Sequence, residues 1–217
     1  MDRILCLCII SRYILRHHFP TQENIAEIQT MNQVRLIFKE LVAIEGGEGL
    51  SVIVLTDTSE QRALNIICDK PMSDQIMMRM NKVPHADMLL PEALLRVLTP
   101  DEGQNLEMMV RTVFDGQYQV TLFNKENLRL FPLRMSDAIL LSCISDVPLY
   151  IDEQLMNLQS TSYVPKQHRI SVPINTLDTD RLHVELQHAV AQEDYRLASH
   201  LQKEIDKRIT DKDKSPQ

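Results

Sequence analysis

The step Asp115-Gly116 limits the fold of this chain more than any other feature of its sequence. It stands between two apolar runs, residues 107–114 and 118–123. An Asp-Gly pair accepts the left-handed conformation at both positions, and a two-residue turn of that kind joins antiparallel strands. Parallel strands would need a crossover of about a dozen residues. The same logic applies near the start. Residues 33–44 carry β-formers in partial alternation, Gly46-Gly47-Glu48-Gly49 is a turn, and residues 50–55 and 64–68 are further apolar runs. Thr56-Asp57-Thr58-Ser59-Glu60 between those two is turn chemistry. The pattern predicts an antiparallel meander, with one more strand at residues 128–133.

Helical periodicity appears between and after these strands. A helix is expected over residues 72–81, with Pro71 in its first turn. Another is expected over 86–98, where Met88, Leu89, Leu95 and Leu98 keep the period and Pro100 stops it. Ser136 is expected to cap a helix running through Cys143, and a short helix should begin near Asp152. The fold class is therefore α+β: a mostly antiparallel β-sheet core with packed helices, followed by a C-terminal α-helical hairpin. Of the 217 residues, 44% are hydrophobic, enough for one packed core with appendages. The organisation predicted is an N-terminal extension (1–30), a main domain (31–158), a linker rich in Ser, Thr, Pro, Gln and Asn (159–180), a hairpin (181–209) and a charged tail (210–217).

Charge and cysteine use narrow the function. The net charge of -7 does not call for the basic face that a tight binder of long duplexes needs. A local basic groove remains compatible with it. Cys6, Cys8, Cys68 and Cys143 show no C-x-x-C spacing, so a structural zinc site is not expected, and reduced thiols fit a cytoplasmic protein. The apolar run of residues 4–10 is too short to span a bilayer, and Arg12, Arg16, His17 and His18 follow it. No membrane association is expected.

The stretch Leu128-Arg129-Leu130-Phe131-Pro132-Leu133-Arg134-Met135-Ser136-Asp137-Ala138-Ile139 resembles the bifunctional nuclease family. That family joins a strand ending in a basic residue to a helix opened by Pro-Ser-Asp-Ala-Ile; here Met135 replaces the proline. Asp146-Val147-Pro148-Leu149-Tyr150-Ile151 and the early strands at 50–55 and 64–68 extend the resemblance over residues 33–158. It implies metal-assisted hydrolysis of DNA or RNA phosphodiester bonds. The catalytic candidates are Asp137, Ser136, Arg134 and Asp87. Asp137 and Asp74 are the oxygen donors for Mg²⁺ or Mn²⁺. Two departures point toward weak activity. Met72 stands where the family places a glutamate. His85-Ala86-Asp87 keeps an aspartate but loses the central histidine of a Thr-His-Asp block. Asp137 also has a purely structural reading, as a carboxylate favoured at a helix start.

Residues 182–205 resemble the UVR motif of UvrB- and UvrC-type excision-repair proteins. The signs are Asp194-Tyr195 followed by Ala198, Leu201 and Ile205 at helical spacing. Gln202 and Lys203 depart from that pattern. Over 181–209 the basic and acidic residues balance, so the hairpin suits a helical protein partner better than DNA. Leu182, Leu186, Tyr195, Ala198, Leu201 and Ile205 are the partner-binding candidates. The resemblance implies a nuclease, homo-oligomeric, with a protein-interaction motif. The competing reading is a catalytically weak adaptor in repair or stress response.

Overall fold

The computed structural model describes residues 32–44, 49–98, 105–165 and 171–214. The predicted N-terminal extension lies outside the described residues, as do Gly46, Gly47 and Glu48 of the turn expected at Gly46–Gly49. Strands β1 (Gln33–Ala43), β2 (Ser51–Thr56) and β3 (Arg62–Cys68) form the expected meander. Strands β4 (Leu106–Phe114), β5 (Gln117–Asn124) and β6 (Arg129–Leu133) form a second one. At the β4–β5 turn Asp115 and Gly116 have φ of 47° and 80°, the left-handed pair that an Asp-Gly hairpin requires.

A strand not foreseen joins the two meanders. β7 (Leu149–Asp152) runs antiparallel to β1 and parallel to β4. A two-residue strand, β8 (Thr161–Ser162), extends the far edge beside β3. The result is one eight-stranded sheet in the order β6-β5-β4-β7-β1-β2-β3-β8. It is antiparallel except at β4–β7, which bears out the α+β class.

Helix α1 (Lys70–Met80) and α3 (Met135–Ile144) cover one face of the sheet. Ile76, Ala138 and Ile139 are buried there with Leu36, Ile53, Leu64, Met108, Val110 and Ile151. Asp69 caps α1 by accepting from the Met72 amide at 3.0 Å, with proline in the first turn. The single helix expected over 86–98 is divided. A 3₁₀ turn (Ala86–Met88) is followed by extended Leu89 and then α2 (Leu90–Leu98), because Pro91 starts the new helix. α2 is anchored to α1 through the buried ion pair Arg79–Glu92 at 2.8 Å. Helix α4 (Glu153–Gln159) follows β7 and is capped by Asp152.

The C-terminal helices α5 (Thr179–Ala191) and α6 (Tyr195–Lys214) form the expected hairpin, and α6 continues through most of the predicted tail. The segment expected to be a loose linker is held in places. It supplies β8, and the Ser171 carbonyl accepts from the Asn65 side chain at 2.8 Å. Its 3₁₀ turn (Ile174–Thr176) packs Ile174, with Leu177, onto the hairpin. The Leu177 carbonyl lies so close to Gly116 that a Cβ there would stand 2.6 Å from its oxygen.

Candidate functional site

Arg134, Ser136 and Asp137 all lie where β6 turns into α3. Leu133 ends the strand opposite Val120, and burial of Met135, Ala138 and Ile139 fixes how the helix leaves the sheet. The helix begins two residues earlier than expected. Arg134 is its N-cap residue and makes no side-chain cap, so Ser136 sits in the first turn and does not cap it. Burial of Met135 in the position of the family's proline explains the shift, since it must face inward to pack.

The guanidinium of Arg134 grips Asp137 with two hydrogen bonds. Nε donates to Oδ2 at 2.7 Å and Nη2 donates to Oδ1 at 3.0 Å. This is the bidentate fork that fixes both groups in one plane. Asp137 is one-third exposed, whereas Arg134 is 76% exposed. The Arg134 pKa is raised by its hydrogen bonds to Asp137, then by that residue's charge, and further by the charge of Asp69. Asp69 is the N-cap of α1, the helix that packs against α3. Asp69 escaped the sequence reading, although an aspartate two residues before Pro71 is itself a helix-start signal.

The other carboxylate candidates, Asp74 and Asp87, each have their own basic neighbour. Asp74 is on the exposed side of α1 and pairs with Lys70 at 3.2 Å. Asp87 is exposed in the 3₁₀ turn and faces Arg96 at 3.7 Å; Arg96 also donates to the Asp87 carbonyl at 2.7 Å. His85 is exposed, with φ of 67°. Met72, in the place of the family's glutamate, is half-buried against the core. Among the described residues, no three or more His, Cys, Asp or Glu side chains come together in a group that would hold a metal ion. Asp137 and Asp74, the donors expected for Mg²⁺ or Mn²⁺, belong to no such group. Two clefts, one between the β4–β5 turn and α6 and one beside β8, include none of these side chains.

The structure turns most of the expected partner-binding stripe inward. Leu182, Ala198, Leu201 and Ile205 form the hairpin's own core, with Leu186 half-buried beside them. Two helices alone could not enclose that stripe, but Ile174 and Leu177 supply the missing side. Tyr195, at 68% exposure, is the one member of the set on the surface. Among the described residues, no helix is long and apolar enough to cross a membrane. Cys68 is buried and Cys143 half-buried, both as free thiols.

A comparison with protein families matches residues 53–164 to the bifunctional nuclease domain. The match spans β2 through β8 and includes the Arg134–Asp137 junction. No curated protein matches the sequence.

Proposed function

The chain belongs to the bifunctional nuclease domain family, and from that premise we propose that it acts on DNA or RNA phosphodiesters at the β6–α3 junction. The observation that carries this reading is the Arg134–Asp137 fork within the matched domain. Asp137 takes Nε and Nη2 of Arg134, an exposed guanidinium whose Nη1 is not used in that fork. A phosphate oxygen is the acceptor that such a group binds best. The Ser136 hydroxyl, one residue from Asp137, is a further donor toward the same phosphate. Asp137 acts here as a positioning group that holds the plane of Arg134. A divalent ion, Mg²⁺ or Mn²⁺, would supply charge neutralisation and water activation in hydrolysis. Among the described residues, no three or more His, Cys, Asp or Glu side chains group together to hold it.

Met72 and Ala86, in the places of the family's glutamate and histidine, favour a second reading, a weak or inactive family member working as a cytoplasmic adaptor. The α5–α6 hairpin, similar to the UVR motif, would then meet a helical protein partner through Tyr195 and neighbouring surface residues, with the main domain self-associating. The deciding experiment incubates the full chain with labelled single- and double-stranded DNA and RNA, with Mg²⁺, with Mn²⁺ and with excess chelator. The nuclease reading expects metal-dependent cleavage that Arg134→Gln lowers severely. Absence of cleavage in every condition gives the adaptor reading.

A further inference from the structure

We propose that the free edge strand β6 is a track for single-stranded nucleic acid, in which Phe131 stacks a base and Arg129 and Arg134 hold phosphates on either side. The proposal rests on the phosphodiester reading of the Arg134 junction and names its substrate class. Among the described residues, β6 is the outermost strand at its end of the sheet. Strand alternation puts Arg129 and Phe131 on one face, the same face as Leu133, and Arg134 follows at the strand's end. Phe131 is 46% exposed and Arg129 is exposed, and the Arg129 guanidinium has no acidic partner among the described residues. A half-exposed phenyl ring between two exposed guanidinium groups is the combination that binds single strands. Every base offers a ring face to an aromatic side chain, while cations follow the backbone.

The distances suit that occupant. From Arg129 to Arg134 the strand runs roughly 16 Å at the usual rise, room for more than one phosphate with a base between. Pro132 argues against the obvious rival, another β-strand adding to the edge. Proline is tolerated at an edge, and it removes an N–H that an added strand would need. A duplex is also disfavoured, since its bases are stacked inside and would not reach Phe131. Arg134 retains Nη1 for a phosphate while Asp137 fixes its orientation.

The test measures fluorescence anisotropy of a labelled oligothymidylate of about 15 nucleotides, a length typical of single-strand sites, and of a duplex of equal length. The full chain is used in excess chelator, so that metal-dependent cleavage does not interfere. The expected result is tighter binding of the single strand, weakened about tenfold or more by Phe131→Ala and restored by Phe131→Trp. Arg129→Gln should weaken binding and flatten its salt dependence. Single-strand binding that is absent, or unchanged in Phe131→Ala, overturns the proposal. Phe131-dependent binding without cleavage under any metal supports the track while removing the nuclease reading. Cleavage with Phe131-independent binding does the reverse.

Discussion

Replacing Gly116 with alanine tests how the C-terminal hairpin is attached. Two costs arise from the structure. The backbone at Gly116 has φ of 80°, which costs an L-residue about 1–2 kcal/mol. The new Cβ would also stand 2.6 Å from the Leu177 oxygen and 3.2 Å from Nη1 of Arg208. Neither neighbour gives way easily. Leu177 is backbone, and Arg208 is buried with Nε on Glu204 and Nη2 on the Asn175 carbonyl, each at 3.0 Å. Forcing such a contact costs about 1–3 kcal/mol more. The total expected loss is about 2–5 kcal/mol, borne mainly by the joint between the β4–β5 turn and α6. Amide exchange should speed up at Thr176 and Leu177, whose N–H groups close the 3₁₀ turn, while β2 and β3 stay protected. Gly116→Asn separates the two costs, since asparagine tolerates left-handed backbone yet carries the same Cβ. If the clash dominates, alanine and asparagine lose similar stability; if backbone strain dominates, asparagine loses less. A Gly116→Ala protein as stable as the parent, with unchanged exchange at 176–177, would refute the close approach.

Two further outcomes follow from buried groups. Burial raises the Asp57 pKa, but hydrogen bonds from Arg62, the amides of Gln61 and Arg62, and Ser59 outweigh it, so the folded value lies below the ordinary 3.8. The stability it contributes is present above that ordinary value and is lost as pH falls through the folded one; acid unfolding followed by circular dichroism should therefore steepen below about pH 4, and less so in Asp57→Asn. Leu201 is 1% exposed inside the α5–α6 core, so Leu201→Asp should melt the hairpin's protection in amide exchange while the sheet persists; an intact hairpin would contradict that packing.

Sequence patterns gave β1 to β6 within one residue or so at most ends, because each is an apolar or partly alternating run bounded by turn residues. β7 escaped for a physical reason: four residues after Pro148 are too few to show a period, although contact with β4 and β1 buries Leu149 and Ile151 almost completely. An apolar seam in the hairpin was legible as either inner or partner-facing, but its closure by Ile174 and Leu177 was not, because they lie in a segment that composition marks as polar. At the candidate site the sequence placed Arg134, Ser136 and Asp137 at one junction. It did not show that Arg134 and Asp137 pair with each other across i,i+3. Nor did it show that Asp74 and Asp87 are taken up by Lys70 and Arg96. Such pairings depend on backbone direction at helix starts, which residue spacing alone does not give.

The most direct test of the phosphodiester reading is the cleavage rate of Asp137→Asn on single-stranded DNA with Mg²⁺ or Mn²⁺, measured beside its thermal stability. Asparagine keeps the size and one oxygen but loses the charge that fixes the Arg134 fork. The account predicts that cleavage falls to background. Stability should change by only about 0.3–1 kcal/mol, the value of a charge at a helix start, since an exposed ion pair adds little. Cleavage at the parent rate in Asp137→Asn, or a parent protein inactive with every metal and substrate, would contradict it.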